Sequence, residues 1–514
     1  MEEYGFFLLP FAFSYLEDKP DWSYGAPDKI FDLPWRLSPS YDKIPVLCLL
    51  RRGGGKIAGL TSRRSGKVDS IKIYRFYPDS DRLEQIRFSD GDGNIYSEYT
   101  EHHKGEWHKI FYLKRERFSD KEGKAAYIKV KFDDEFVISP KDKRGTTYAT
   151  VNLADKPLPR LGGWLVGDGH IHTEVTDNPS EYGPPLEIFP YGREWFGLDY
   201  IILTDHGFDL KEADWTRMQR FAQENSREDF SILVGEEIHA KNDNNWLPSF
   251  TKCHSMHILG YNLKRWIKTG NTLFHSYNPR KDENEVMAEF VSRNDGSFCY
   301  IAHPRVEKEG KWHYELRRLK DHYLGNPIVG LEVLNGGNFW EEKNKKAGEL
   351  LKELLLQGKK LWVMGNSDSH SLRPGMGRTY VKVGENSGEE ILRALKSGKT
   401  VATDGPFGYL VTTTQSGEKA DLGGRLKGQR FELRLEWDAD PKHQYTDICL
   451  IKVYLGKIGE DREREISLPG VDYRKGSFTI PIQDLEPGFY YTRAEFLTSE
   501  KRKAVTSPIF LEAK

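Results

Sequence analysis

The sequence predicts an α/β protein, with a seven-stranded (β/α) barrel in the middle of the chain and all-β, sandwich-like domains on either side. Three observations carry this. Residues 164–403 alternate apolar runs of strand length with amphipathic helical segments, the pattern of a parallel α/β architecture. The residues before and after hold short alternating or aromatic runs separated by turn residues. At 514 residues, 38% of them hydrophobic, the chain exceeds one ordinary core and has ample material to bury, so several folded domains are expected.

Residues 1–158 form the first block. IKIYRFY, KIFYLKRERF, AAYIKVKF and TTYATVNL read as strands, with DGDGN and SDKEGK as turns between them. The proline- and glycine-rich ADKPLPRLGG, 154–163, marks the boundary. Residues 159–403 form the second block, where seven runs precede a polar residue. They are WLV before Asp168, YIIL before Thr204, SILV before Gly235, MHIL before Gly260, FCYIA before His303, IVGLEVL before Asn335 and LWVM before Gly365. Between them KEADWTRMQRFAQEN and WEEKNKKAGELLKELLLQ read as helices, and Ser387 with Glu390 predicts a capping box on EEILRALKSG. Seven strands in this length suggest a barrel, although the count alone fits an open sheet as well. Residues 404–514 return to β, with FELRLEWDA, ICLIKVYLG, GSFTIPIQ and FYYTRAEFL as the strands of a small sandwich.

The polar residues of the second block fall at the C-terminal ends of its strands. Asp168-Gly-His170-Ile-His172 ends the first, Thr204-Asp205-His206 the second and Gly235-Glu236-Glu237 the third. The fourth contains His254 and His257, Ala302-His303-Pro304 closes the fifth, and Gly365-Asn-Ser-Asp368-Ser-His370 the seventh. In a barrel the strand ends converge on one face. Histidines that merely solvate loops would not share that register, so a metal centre is expected. Alternate residues of an extended segment point the same way, which lets His170 and His172 reach one ion. Imidazole with carboxylate and no thiolate suits zinc, manganese or iron. More than four ligands imply two or three divalent ions sharing a bridging carboxylate, able to activate a water and clamp both oxygens of a displacement.

On GDGHIHTEVTD, LDYIILTDHG, ILVGEEI, HILGY, IAHPR, GLEVLNGG and MGNSDSH, in that order, the chain resembles the PHP (polymerase and histidinol phosphatase) metallohydrolases, and most closely their carbaryl-hydrolase-like branch. The resemblance spans about half of the chain and implies a distorted seven-stranded (β/α) barrel. It implies as ligands His170, His172, Asp177, His206, Glu237, His257, His303, Asp368 and His370, with Glu237 as the bridge. His170, His172 and Asp368 would share one ion with Glu237, and His257 and His303 a second. Asp177, His206 and His370 would hold a third. Glu236 and Glu237 point opposite ways on a strand, and His254 competes with His257 for its role.

Beside these ligands, Asp168 and Asp205 are read as groups that accept hydrogen bonds from ligand imidazoles and fix the rings. Asp368 is also the candidate acceptor of the water's proton. Arg305, two residues after His303, is the candidate contact for an anionic substrate group. The expected activity is hydrolysis of a small, anionic phosphate ester by a metal-bound hydroxide. Hydrolysis of a carbamate, carboxyl ester or amide on the same centre is the rival. A carbohydrate-binding protein with the barrel as scaffold is the alternative from another class. Substrate selectivity is expected to lie in loops such as 241–253 and 261–281.

Other signals exclude more than they suggest. A formal charge of −2 gives no global field for nucleic acid or membrane. The four cysteines show no paired spacing, and three lie in apolar runs, which argues against a disulfide framework. MEEYGFFLLPFAF is acidic before its apolar run and makes a poor secretion signal, and no segment approaches the roughly 20 apolar residues of a membrane helix. A soluble, cytoplasmic protein is expected. Asp90, Asp92 and Asn94 alternate as in a calcium loop, but Ile95 stands where a glycine is required, so a hairpin turn is predicted. RRGGGKI at 51–57 lacks the residues of a phosphate loop.

Overall fold

The computed structural model describes residues 29–50, 52–53, 64–65, 67–104, 106–139, 147–176, 183–241, 255–269, 281–304, 319–469 and 472–514. Strand accounts for 44% and helix for 19%, so the protein is mostly β.

The first block contributes β1 (Lys29–Asp32), β2 (Lys43–Leu50), β3 (Ile71–Tyr77), β4 (Trp107–Lys114), β5 (Lys124–Phe132) and β6 (Ala149–Leu153). β1, β2 and β4 pair antiparallel in one sheet, and β3, β5 and β6 in another. The period-two pattern of β5 buries Ala126, Ile128, Val130 and Phe132 and turns Lys129 and Lys131 the other way. Asp90 builds the predicted turn: its carboxylate accepts the backbone amides of Asp92 (3.1 Å) and Asn94 (3.0 Å).

In the second block all seven apolar runs are strands: β7 (Trp164–Ile171), β8 (Tyr200–Leu203), β9 (Ser231–Val234), β11 (Ser255–Tyr261), β12 (Phe298–Ile301), β13 (Ile328–Asn335) and β14 (Trp362–Asn366). A further strand, β10 (Glu236–Lys241), follows β9 after Gly235. Helices α1 (Glu212–Asn225), α2 (Glu283–Arg293), α3 (Glu342–Leu356) and α4 (Gly388–Ser397) lie between them, with β15 (Arg378–Lys382) and β16 (Thr400–Thr403) flanking α4. Ser387 caps α4 by accepting the Glu390 amide at 3.3 Å. The Glu390 carboxylate pairs with Arg393 instead of completing a box.

These strands do not make the expected seven-stranded (β/α) barrel. They divide between two sheets. β7, β8 and β9 run parallel in one, and the outer edge of β7 pairs antiparallel with β15. β10 to β14 form the other, in which β10–β11 and β11–β12 are antiparallel and only β12–β13–β14 are parallel. A parallel barrel needs a crossover helix after each strand. Among the described residues the only helices of ten or more residues are α1 to α4. Apolar runs locate strands but carry no information on which edges pair, and that is where the expectation failed. Two single-residue bridges, Ile171 with Ser369 and His206 with Glu237, tie the sheets together at the polar ends of β7 and β8.

The last block adds β17 (Gly408–Thr414), β18 (Phe431–Trp437), β19 (Ile448–Lys457), β20 (Ser477–Ile482), β21 (Gly488–Thr498) and β22 (Lys503–Thr506). β17, β18 and β20 form one sheet. β19, β21 and β22 extend the β7 sheet, because β22 pairs with β16 across residues 401–403. Trp164 and Tyr380 pack on Phe407 at this junction, the latter stacked at 4.0 Å. No helix among the described residues is long and apolar enough to cross a membrane.

Candidate metal centre

The two bridges gather the histidines. His170 and His172 lie two residues apart on one side of β7, both fully buried. Gly169, just before His170, allows close packing of β14: a Cβ there would sit 2.8 Å from the Met364 methyl and 3.1 Å from Asn366 Oδ1. His206 follows β8 and bridges Glu237 at the start of β10. On β10 and β11, His239 stands opposite His257. His303 follows β12, and Asp368 and His370 follow β14, where the Ser369 carbonyl accepts the His172 amide at 3.0 Å.

Glu237 is the hub of the cluster. Its Oε1 lies 2.6 Å from His257 Nδ1 and 3.0 Å from His303 Nε2. Its Oε2 lies 2.7 Å from His206 Nδ1, 3.4 Å from His172 Nε2 and 3.5 Å from His170 Nε2. Asp368 Oδ1 closes the other side, 3.2 Å from His172 Nε2 and 3.3 Å from His170 Nε2. The floor is sealed, with Glu237 1% exposed, and the rim is open at Asp368 and His370, each 24% exposed.

The donors converge in four groups whose ligand atoms lie within 4.8 Å of one another: His170, His172, Glu237 and Asp368; Glu237, His257 and His303; His172, His206 and His370; and His206, Glu237 and His239. The Nε2 atoms of His170 and His172 face each other at 3.1 Å, so at most one of them carries a proton in that gap. Neutral imidazole lone pairs and carboxylates that point at common centres suit borderline divalent ions such as zinc, manganese or iron.

The electrostatics follow from burial and from these neighbours. Burial would raise Glu237, but His257, His206 and His170 outweigh it and hold the carboxyl well below its usual range. Asp368 is held low in the same way by His170, His172 and His370. His172 is driven far down by burial and by its neighbours His370 and His206. His257 is lowered by burial despite Glu237. Burial would lower His170 too, but Asp368, Glu332 and Glu237 carry it well above the imidazole range. Two members of the cluster, His303 (φ 24°) and Asp368 (φ 50°), sit in left-handed backbone, a strained conformation that persists where the surroundings impose it.

Of the residues expected at the site, His170, His172, His206, Glu237, His257, His303, Asp368 and His370 come together. Asp177, Arg305 and the competing His254 lie outside the described residues. Glu236 points away from the cluster and accepts the Ile267 amide at 2.7 Å. Asp168 and Asp205 do not hold ligand rings as expected. Asp168 binds the backbone amides of His170, Ser367 and Gly375, and Asp205 binds the amides and hydroxyls of Thr173 and Thr176. Asp168 lies inside β7 and Asp205 just past β8, and in both cases nearby backbone amides take the carboxylate in place of the rings.

Four residues do what was expected of those acids or add to the donor set; the sequence reading missed Glu332, Thr176 and His239 and gave Asn335 only a minor place beside Arg305. Glu332 Oε1 holds His170 Nδ1 at 3.1 Å, and Thr176 Oγ1 lies 3.3 Å from His172 Nδ1. Asn335 donates to both Glu332 and Asp368 at 3.1 Å. His239, two residues after Glu237 on an extended strand, had a readable signal in that spacing. Glu332 had one in being a lone acid inside the apolar run IVGLEVL.

Fold and site together define the class: a mostly β chain with a buried histidine–carboxylate cluster fit for divalent ions. No protein-family model matches the chain, and no curated protein does. Among solved structures, the PmoD soluble domain from Methylocystis sp. ATCC 49242 is 12% identical over 21% of this chain and 91% of its own, with a TM-score of 0.17. A putative β-galactosidase from Bacteroides fragilis is 9% identical over 93% and 75%, TM-score 0.17. Parabacteroides merdae β-glucuronidase is 10% identical over 94% and 64%, TM-score 0.18. Likenesses of this size carry no argument about fold or function.

Proposed function

We propose that the chain is a metal-dependent hydrolase that holds two or three divalent ions and acts on a small anionic ester, a phosphate ester first of all. The observation that carries the reading is the Glu237 carboxylate, which presents both oxygens to five histidines in a sealed floor while Asp368 faces the open rim. Bound ions would lower the pKa of a coordinated water and neutralise charge that develops on the ester.

The chain's own residues supply the rest. His170, His172, Glu237 and Asp368 form one nest, Glu237, His257 and His303 a second, and His172, His206 and His370 a third. Glu332 keeps the Nε2 of His170 turned toward the cluster. Asp368, fixed by Asn335, is the group placed to accept a proton at the rim, where substrate enters. The closed floor excludes water from behind the ions.

Metal content of the purified chain, followed by turnover of an aryl phosphate, an aryl carboxyl ester and an aryl carbamate, tests the reading. Two or more zinc, manganese or iron ions per chain and phosphatase activity that disappears in His172→Ala are expected. Fewer than one tightly bound ion would overturn it, and turnover of the carboxyl ester or carbamate alone would move the substrate class.

A further inference from the structure

The loop 367–377 carries Asp368 and His370, and its two ends are fastened from within the second block. Asp168 accepts the amides of Ser367 (3.2 Å) and Gly375 (2.7 Å). Its tip is fastened from elsewhere. Asp32, the last residue of β1, is fully buried, and its Oδ2 accepts the Leu372 amide at 2.7 Å. Its other oxygen accepts the Leu33 amide at 2.8 Å. Three residues on, Trp35 donates its amide to the Leu372 carbonyl (2.9 Å) and its indole N–H to the Pro374 carbonyl (2.7 Å). Leu372 itself is fully buried.

From this we infer that Asp32 and Trp35 are positioning residues for the candidate metal centre, so that the N-terminal β block is a working part of the site. The inference rests on the metallohydrolase reading for the identity of what is positioned. A buried carboxylate is costly to place unless its oxygens are satisfied. Here one oxygen is satisfied by the neighbouring Leu33 amide and the other by the loop that brings Asp368 and His370 to the rim. Asp368 holds a left-handed backbone there, which needs a surrounding that leaves it no alternative. Pinning the tip at Leu372, two residues beyond His370, limits the freedom of the segment between the tip and the β14 end.

Asp32→Asn tests the clamp, because an amide cannot accept at both positions and its NH2 would face a backbone N–H. Hydrogen exchange of full-length protein should quicken by about tenfold or more in peptides spanning 367–376, with β10 unchanged. Calorimetric titration with Zn2+ alone should show one class of site weakened about tenfold and the others as in wild type. Phe31→Leu, on the same strand and fully buried, is the control: it should lower Tm and change neither readout. If Asp32→Asn fails to fold, Trp35→Phe, which removes the indole donor with a part of the ring, should show the same pattern with smaller size.

Wild-type exchange in the loop of Asp32→Asn, or equal quickening in Phe31→Leu, would overturn the clamp. Quickened exchange with every Zn2+ affinity unchanged would overturn its positioning role. A wild-type chain that takes up no Zn2+, Mn2+ or Fe2+ would sink the metallohydrolase reading instead, and exchange would still decide whether Asp32 holds the loop.

Discussion

The two faces of β10 carry the same chemistry to opposite ends. Glu236 and Glu237 are neighbours, both buried, and the strand turns one away from the cluster and the other into it. On the inner face five histidines surround the carboxylate, and His257, His206 and His170 hold it well below its usual range against burial. On the outer face burial dominates, the Ile267 amide compensates only in part, and Glu236 is pushed up to about 8. Burial alone therefore protonates a carboxyl, whereas burial among partners fixes its charge. A charged bridge is what a multi-ion site requires.

The largest effect is expected from breaking the inner face. Glu237→Gln keeps the shape but turns one acceptor oxygen into an NH2 and removes the charge shared by three of the four donor groups. Metal content should fall below one ion per chain and hydrolysis by about a thousandfold or more. A variant that retained both would show that Glu237 is not the bridge. Glu332→Gln comes next. It weakens the hold on His170 without touching the donor set, so metal affinity should drop by about 10- to 100-fold, measured by competition with a chelator.

How much of this was legible in the sequence divides along the same line. Period-two spacing identified His170 and His172, and the chemistry of strand ends brought in His206, His257, His303, Asp368 and His370. Opposite facing on a strand showed that only one of Glu236 and Glu237 could be the bridge, and the resemblance in the Gly-x-Glu motif pointed to Glu237. All of this is local. What failed was non-local. Edge pairing, which decides between a barrel and two sheets, is set by hydrogen-bond geometry that apolar runs do not encode. The Asp32–Leu372 contact joins residues 340 apart, with no pattern in either segment to announce it. Asp168 was assigned to a ring because it precedes one, whereas backbone amides needing an acceptor were nearer.

The outer face predicts an effect of the opposite sign. A carboxyl whose pKa rises on folding contributes stability that is fully present below its unfolded value, near 4.5, and is lost as pH rises through about 8. Glu236→Gln removes that dependence. The variant should match wild type near pH 4 and exceed it by a margin that grows as pH rises toward 8, reaching roughly 5 kcal/mol at pH 9, in urea midpoints. Metal content and turnover should be unchanged. Loss of metal in this variant would erase the distinction between the two faces.

Asp90 in the N-terminal block is the intermediate case, and it gives the smallest effect. It too is buried from solvent in its turn, but Asn94, Tyr96 and the Asn94 amide outweigh burial, with Lys109 at 3.7 Å adding to them, and its pKa falls to about 2. Hydrogen bonds, with one lysine beside them, can thus do part of what the histidines do for Glu237. A depressed carboxyl contributes stability above its unfolded value, near 3.8, and loses it as pH falls toward 2. Asp90→Asn should be less stable than wild type at pH 7 by about 1 kcal/mol, the turn being close to solvent. The gap should close between pH 4 and pH 2 in urea titrations. A gap that stayed constant over that range would mean the turn depends on the shape of Asp90 and not on its charge.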